Sequence, residues 1–395
     1  MAGIYIHIPF CKKACTYCNF HFSTSLNLQN DFLEALLKEI GLRQDYLQGA
    51  VVESVYFGGG TPSLLPSGVI RQVLESLADH YKISEEAEVT LEANPDDIQP
   101  ASVDAWATAG INRLSIGIQS FFEEDLKWMN RAHNAEQARK CLDIAGKRFE
   151  DLTLDLIYGT PLMTDEKWNS NLQTAFRSGI PHLSCYALTT EEGTLLHHQI
   201  KKGHMAAPAQ EDQARQFDWL VQATESEGFE HYEISNFAKP GYRSRHNSSY
   251  WTGEHYLGLG PSAHSYNGVT RQWNASNNAI YIRQLNKSIL PAEKEELGPA
   301  QKANEYIMLA LRRMEGIDTE MLHEKLNENG RRLFEKKVIE YEKKTLIDRS
   351  GKSIKLTRSG KLFADGIASD LFVEEKDCVP YQTSVSSMNR NPLEG

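Results

Sequence analysis

The sequence lacks any apolar run approaching the roughly 18 residues that a membrane-spanning helix needs. Its first ten residues, MAGIYIHIPF, have neither the basic start nor the long apolar stretch of a signal peptide. It also lacks an excess of positive charge, since 42 Lys and Arg face 53 Asp and Glu. Because phosphate binding needs clustered positive charge, no nucleic-acid partner is expected. We therefore expect a cytosolic protein, whose six cysteines serve as ligands, nucleophiles or core residues rather than as disulfides.

Short apolar, β-branched runs alternate with stretches of helical periodicity through the first half of the chain. The runs cover residues 4–8, 54–57, 88–93, 113–118, 152–158 and 183–188, and helical stretches such as 31–47 and 69–81 separate them. This alternation predicts parallel βαβ units, in a sheet that is either open and doubly wound or curled into a barrel. In both arrangements the loops after the carboxyl ends of the strands carry the chemistry.

The alternation fades after about residue 190. Residues 208–227 predict one more helix, and residues 236–298 form a loop-rich connecting region. Over residues 299–375, helices flanking a hairpin at Ser350 and Gly351 predict a small winged-helix-like α+β domain. That domain is locally basic, but a docking surface or a solvated face explains this as well as nucleic acid does. Residues 376–395 are polar and aperiodic, and we expect a disordered tail there.

Three cysteines lie close together directly after the first predicted strand. Cys11, Cys15 and Cys18 have the spacing C-x3-C-x2-C, and no fourth cysteine is near. Zinc is one interpretation, with His7 or His21 as the fourth ligand. A [4Fe-4S] cluster is the other, and three thiolates would leave one iron open to a further ligand.

This cysteine motif, with Tyr17 before its last cysteine, resembles that of the radical S-adenosylmethionine (SAM) superfamily. The resemblance implies that SAM binds the open iron through its methionine amino and carboxylate groups. A second motif, GGGTP, follows the second predicted strand with Gly58, Gly59, Gly60 and Thr61. It lacks the GK[ST] ending of a phosphate loop, and its glycines would let a ligand approach the backbone. A plain tight turn is the alternative, but the resemblance implies a loop that binds the SAM amino group.

Polar residues near other strand ends extend the resemblance to the coproporphyrinogen III oxidase-like branch of that superfamily. By this resemblance they would surround the SAM ribose, carboxylate and sulfonium, and they are Tyr56, Glu92, Gln119, Arg131 and Asp155. The resemblance continues through residues 232–238 and 258–266 and covers most of residues 3–375. It implies an α/β fold, an incomplete (β/α)6 TIM-like barrel of the radical SAM type over residues 1–235, followed by the smaller C-terminal domain.

Two departures distinguish the chain from the oxidase pattern. The oxidases carry a fourth cysteine where this chain has Phe20, and an extra segment before the cluster motif, whereas Cys11 lies almost at the start here. Both features are similar to those of the sister group, the HemW-type haem chaperones. The HNxxY haem-binding motif of that group matches His246, Asn247 and Tyr250, with His246 as the implied axial ligand. A histidine satisfied by a loop hydrogen bond is the alternative.

The chemistry around this motif is suited to haem. A neutral imidazole is a good ligand for haem iron, and aromatic side chains such as Tyr242 and Trp251 could stack on a flat macrocycle. Arg243 and Arg245 could pair with the propionates.

The hypothesis is therefore a haem chaperone with a [4Fe-4S] cluster, SAM and haem. The resemblance implies haem-accepting respiratory proteins as partners, through which the protein would associate peripherally with a membrane. Activity as an enzyme, cleavage of SAM, covalent attachment of haem and dimerisation stay open. One alternative is an oxygen-independent coproporphyrinogen III oxidase or another radical enzyme acting on a tetrapyrrole. The other is a zinc-stabilised module whose basic domain contacts nucleic acid.

Overall fold

The computed structural model describes residues 1–380, and a twelve-stranded sheet dominates it. Six parallel strands occupy neighbouring positions in chain order. They are β1 (Ala2–Ile8), β2 (Val52–Gly59), β3 (Ile83–Ala93), β4 (Arg113–Gln119), β5 (Asp151–Tyr158) and β6 (His182–Ala187). All six coincide with the predicted apolar runs.

Helices connect these strands. They are α1 (Gln29–Leu42), α2 (Ser67–His80), α3 (Pro100–Ala109), α4 (Glu123–Trp128), α5 (Ala135–Ala145) and α6 (Asp165–Arg177). The sheet stays open because β1 and β6 each pair with a later strand rather than with each other. This architecture confirms the predicted incomplete (β/α)6 barrel.

The central strands are buried on both faces, as expected for parallel strands covered by helices. In β1, Ile4, Ile6 and Ile8 are fully buried, and only Tyr5 retains partial exposure. Beyond β1, Phe10 packs edge-to-face on Phe32 of α1, with ring centroids 5.5 Å apart. This packing fixes the direction in which the chain leaves β1 toward the cysteines.

After β6 come α7 (Leu195–Lys201), α8 (Gln210–Ser226), β7 (Glu230–His231), β8 (Asn236–Ala238), α9 (Arg245–Thr252), β9 (His255–Leu259), β10 (His264–Tyr266), β11 (Thr270–Asn274), α10 (Asn278–Leu285) and β12 (Ala292–Glu296). Helix α8 agrees with the helix predicted over 208–227. The region 236–298 differs from the expected loop-rich connection, since it holds five strands and two helices. Strand β9 pairs in parallel with β1, and β8 pairs with β6 in antiparallel fashion. These strands are too short for an alternation of apolar and polar residues to be recognised in the sequence.

A buried carboxylate joins the later strands to the barrel. Glu39 of α1 is fully buried and accepts hydrogen bonds from the Gly260 backbone N–H (2.9 Å), the Asn274 side chain (2.7 Å) and the Tyr281 hydroxyl (2.6 Å). Its charge is paired with Arg43 one turn later, at 3.0 Å. Residues 1–296 accordingly form one compact unit rather than a barrel with a separate connection.

A second unit begins at Leu297. It contains α11 (Pro299–Arg312), β13 (Ile317–Asp318), α12 (Thr319–His323), α13 (Glu328–Lys343), β14 (Ile347–Ser350), β15 (Ser353–Leu356), α14 (Arg358–Lys361) and α15 (Ala364–Asp370). The order helix, strand, two helices and hairpin, with a three-stranded sheet β13-β15-β14, confirms the winged-helix-like α+β domain. Two short helices, α14 and α15, follow the hairpin.

The predicted disorder from residue 376 is wrong for residues 376–380, and the remainder of that segment lies outside the described residues. Asp377 and Cys378 are both buried, and Cys378 forms an antiparallel bridge with Leu326. The Asp377 carbonyl accepts a hydrogen bond from the Asn327 N–H at 3.0 Å. Long-range contacts of this kind cannot be predicted from the local amino-acid composition.

Candidate functional site

The cysteine-bearing segment, residues 11–18, leaves the carboxyl end of β1 in an irregular conformation that tertiary contacts hold. The Cys11 N–H donates to the Ser23 carbonyl at 3.0 Å. At its centre, the Thr16 N–H donates to Met129 (3.1 Å), and the Thr16 carbonyl accepts from Leu196 (2.8 Å). The three cysteines are unpaired and half-buried. Neighbours from distant parts of the first unit therefore place this segment.

Two polar side chains reach the cysteine sulfurs. The Thr61 hydroxyl donates to the Cys11 Sγ at 3.5 Å, and Arg131 Nη1 donates to the Cys15 Sγ at 3.4 Å. Burial raises the pKa of the Cys18 thiol to about 11, and that of Cys11 is raised for the same reason. The Cys11 and Cys18 thiols are consequently protonated at neutral pH, and metal binding would release their protons.

The glycines of GGGTP are required by close packing between β2 and the chain leaving β1. Gly59 has φ +107°, and a Cβ there would meet the His7 ring at 2.6 Å. A Cβ on Gly60 would meet the Phe10 carbonyl oxygen at 2.6 Å, and the Gly60 N–H donates to Ile8 at 2.8 Å. A Cβ on Gly58 would meet the Tyr5 and Tyr56 rings at 2.9 Å. The motif thus positions its own loop beside the cysteine segment.

Two half-buried carboxyl groups lie at the inner face of the barrel. The Tyr56 hydroxyl donates to Glu92 at 2.9 Å, and the Ser115 hydroxyl donates to Asp155 at 3.2 Å. Burial raises the pKa of Glu92 to about 8, an effect to which the neighbouring charge of Asp155 adds, and burial raises the pKa of Asp155 to about 6. Acidic groups kept partly neutral by burial are typical of functional sites. This pair would favour a cationic or hydrogen-bond-donating ligand.

Gln119 ends β4 in a left-handed conformation, with φ +66°, and the pairing of β4 with β5 shifts register there. A non-glycine residue in this conformation is strained, and such strain is concentrated at functional sites. Arg131 lies on the same side, where Nη2 donates to the Gly117 carbonyl at 2.7 Å. Gln119 therefore lies at the end of β4, whereas Arg131 lies between α4 and α5 rather than at a strand end and reaches β4 through its side chain.

His246 lies inside the first unit rather than in an open loop. It belongs to α9, is 1% exposed, and its ring stacks on Tyr56 at 4.9 Å between centroids. Its Nδ1 is hydrogen-bonded to the Ser54 hydroxyl (2.8 Å) and its Nε2 to the Tyr250 hydroxyl (3.1 Å). Burial lowers its pKa to about 4, so the ring is neutral. Asn247 is half-buried, and its N–H donates to the Ser244 hydroxyl that caps α9.

The arginines beside this motif have partners of their own. Arg243 is ion-paired with Glu230 at 2.9 Å, and Arg245 donates to the Glu86 carbonyl. Tyr242 is exposed and Trp251 is half-buried.

The residues present fit a cluster better than a single zinc ion. Both ring nitrogens of His7 are engaged, Nε2 with the His21 carbonyl (2.8 Å) and Nδ1 with the Tyr5 hydroxyl (3.2 Å). His21 Nε2 is bonded to Asn278 at 2.7 Å. Within residues 1–380, no three His, Cys, Asp or Glu side chains converge as one metal ion would require. A [4Fe-4S] cluster instead takes each thiolate on a different iron, so it suits three cysteines spread along a loop.

Sequence reasoning missed Asn94 and Glu88. Asn94 Oδ1 accepts from Arg131 at 2.6 Å, and its amide donates to Thr61 at 3.3 Å. The buried carboxylate of Glu88 accepts from the Arg245 and His246 N–H groups, at 2.8 and 2.9 Å, and so caps α9. The alternation of β3 held a signal for Glu88, because it lies four residues before Glu92 and hence on the same face.

Comparison with known proteins agrees with this geometry. Residues 5–175 match the family model of the radical SAM superfamily, and residues 297–363 match that of the HemN C-terminal domain. The heme chaperone HemW of Mycobacterium tuberculosis is 34% identical over 375 residues, covering 93% of this chain and 94% of that protein. The heme chaperone HemW of Bacillus subtilis is 31% identical, covering 93% and 98%.

Among solved structures, coproporphyrinogen III oxidase (HemN) from Escherichia coli superposes with a TM-score of 0.81 at 23% identity, covering 94% of this chain and 90% of that one. None of the helices in residues 1–380 has the length and apolar character needed to cross a bilayer. The fold matches HemN, while the HemW proteins share a higher sequence identity, 34% and 31% against 23%, over a similar share of this chain. The chain therefore belongs to the HemW family within the radical SAM superfamily.

Proposed function

We propose that the protein is a haem chaperone, which binds haem and transfers it to acceptor haem proteins of respiration. The main support for this proposal is the similarity to heme chaperones over 93% of the chain. The position that would hold a fourth cysteine in the oxidases is occupied by Phe20, whose side chain is 64% exposed and cannot ligate iron. An acceptor at a membrane would bring the chaperone to that surface from the cytosol.

In this proposal the cysteine-bearing segment holds a [4Fe-4S] cluster through Cys11, Cys15 and Cys18. SAM would lie against residues within β2 to β5 and in the segments that follow these strands, namely Tyr56, Gly58, Gly59, Gly60, Thr61, Glu92, Gln119, Arg131 and Asp155. The cluster and SAM together supply one-electron chemistry when bound. The raised pKa values of Glu92 and Asp155 support a cationic ligand between these residues, because a positive charge would relieve the cost of ionising them.

Haem would be held through the HNxxY motif, with His246 as axial ligand beside Asn247 and Tyr250. A neutral imidazole is the ligand form that iron requires, and burial keeps His246 neutral. Its ring nitrogens are both hydrogen-bonded, so iron ligation requires Nε2 to exchange Tyr250 for the metal. The proposal therefore includes a local rearrangement that separates the Tyr250 hydroxyl from the His246 ring and opens this buried ring to haem. Tyr56 contacts both His246 and Glu92, which would place the haem motif next to the SAM residues.

Haem titration of the anaerobically reconstituted protein, followed at the Soret band, tests the proposal. Wild type should bind haem saturably, and His246→Ala should weaken binding by at least about tenfold, since even outer-shell partners are worth that much in metal sites. His255→Ala is the matched control, because His255 is exposed and lies outside the motif. If wild type does not bind haem, the proposed chaperone function is refuted. If wild type and His246→Ala bind haem with equal affinity, a residue other than His246 ligates the haem iron.

Oxygen-independent coproporphyrinogen III oxidase activity is the second candidate, favoured by the fold shared with HemN. The reduced, anaerobic protein should be incubated with coproporphyrinogen III and SAM, and the products separated by chromatography. We expect no decarboxylated product. Its appearance would make the protein an enzyme of tetrapyrrole synthesis.

A further inference from the structure

Lys12 ties the cysteine-bearing segment to the loop that follows β3. It lies directly after Cys11, and its ammonium group is ion-paired with Asp96 at 2.7 Å and also with Asp97. The two carboxylates are only 11% and 8% exposed, so solvent screens these contacts less than a typical surface pair. Lys13, the next residue, is exposed and makes no ion pair within residues 1–380. The side chains of Lys12 and Lys13 therefore differ in their contacts although the two residues are adjacent.

The same loop contacts two of the three sulfurs indirectly through Asn94. Its carbonyl oxygen accepts from Arg131, which donates to the Cys15 Sγ. Its amide donates to Thr61, whose hydroxyl donates to the Cys11 Sγ. One amide group thus joins the partners of both thiols.

Ser63 closes this arrangement. Its hydroxyl donates to Asp97 at 2.7 Å and accepts from the Asn94 N–H at 3.3 Å. These hydrogen bonds and ion pairs form one network beside the cysteine-bearing segment. Its members are Lys12, Thr61, Ser63, Asn94, Asp96, Asp97 and Arg131.

We propose that Lys12 and Asn94 are positioning residues that hold the cysteine-bearing segment ready for its cluster before the cluster arrives. The inference rests on the cluster ligation given under the proposed function. Residues 11–18 form no helix or strand, so their own backbone does little to order them. Ordering them only on cluster binding would cost conformational entropy, and a site ordered beforehand avoids that cost.

Hydrogen exchange on the cluster-free protein tests the positioning role without any cofactor. Lys12→Met should speed exchange of the amides of residues 11–18 by about three- to tenfold, the range expected for losing a partly buried, charge-assisted contact. Lys12→Arg should restore wild-type exchange, and Lys13→Met should not alter it. Exchange in Lys12→Met equal to that in Lys13→Met would overturn the inference, whatever the protein does with haem.

Cluster retention is the second measurement. After anaerobic reconstitution, loss of the cluster to a chelator should be faster by a similar factor in Lys12→Met and in Asn94→Asp, which can still accept from Arg131 but cannot donate to Thr61. Lys13→Met should match wild type, and the melting temperatures of the cluster-free variants should stay within about 3 °C of wild type, as expected for the loss of one such contact. Equal loss rates throughout would contradict the inference. Wild type that takes up no iron and sulfide would instead refute the cluster ligation itself.

Discussion

Replacing Glu92 by glutamine should stabilise the cluster-free protein, and by more at alkaline than at slightly acidic pH. Burial raises the pKa of Glu92 from 4.5 to about 8 in the folded chain. The folded protein therefore holds a proton that the unfolded chain has released. The stability from this proton is fully present below about pH 4.5 and is lost as the pH rises through about 8. Glutamine cannot ionise and does not undergo this loss.

The size of the effect follows from the shift. Each pKa unit corresponds to about 1.4 kcal/mol, so the wild type should lose up to about 3 kcal/mol between about pH 6 and about pH 9 relative to Glu92→Gln. Glu92 is half-buried, and solvent screening reduces this to about 1–2 kcal/mol. The Tyr56 hydrogen bond should survive, because the glutamine carbonyl oxygen can accept it.

Urea unfolding followed by circular dichroism at the two pH values measures the difference. Glu85→Gln is the matched control, an exposed carboxylate on the same strand, and should leave both curves unchanged. The buried histidines are common to all variants and cancel in the comparison. A stability difference between Glu92→Gln and wild type that does not grow with pH would refute the reasoning, since it would mean that the carboxyl group is solvated. A residue whose removal stabilises the fold is retained for function, and SAM binding to Glu92→Gln should be weaker.

Two further substitutions test the packing that supports the site. Gly60→Ala would place a Cβ against backbone oxygens of the chain leaving β1, so cluster yield measured as iron per protein should fall, whereas Gly68→Ala in α2 meets open space and should keep the wild-type yield. Glu39→Gln should lower the free energy of unfolding by about 3 kcal/mol, because it leaves the buried Arg43 without its counter-charge. Glu34→Gln, exposed on the same helix, should be neutral in the same urea titration.

Much of the site was predictable because parallel strands place their carboxyl ends at one edge of the sheet. Cys11 follows β1, Gly58 to Thr61 end or follow β2, and Glu92 and Gln119 lie near the ends of β3 and β4. Once the alternation of strand and helix is read, proximity of these residues follows from topology alone. The contacts between them, such as that of Asn94 with both Thr61 and Arg131, join three separate loops and could not be predicted.

The strands and helices of residues 236–298, in contrast, could not be predicted from the sequence. Strand β9 pairs with β1 although more than 240 residues separate them in the chain, and its five residues carry too little periodicity to be recognised. The HNxxY helix was read as part of a loop for the same reason. The hydrogen bonds of His246 to Ser54, and of its backbone N–H to Glu88, come from strands far away in sequence.

The sequence by itself determined the order of strands and helices, the family and the residue types that could ligate a cluster, because these depend on local periodicity and on motifs within a few residues. Only the tertiary structure decided which thiols have partners, that Glu92 and Asp155 have raised pKa values, and that the ring of His246 is buried and fully hydrogen-bonded. Burial and hydrogen-bond partners arise from chain segments that meet only on folding. They therefore depend on the whole fold rather than on any one stretch of sequence.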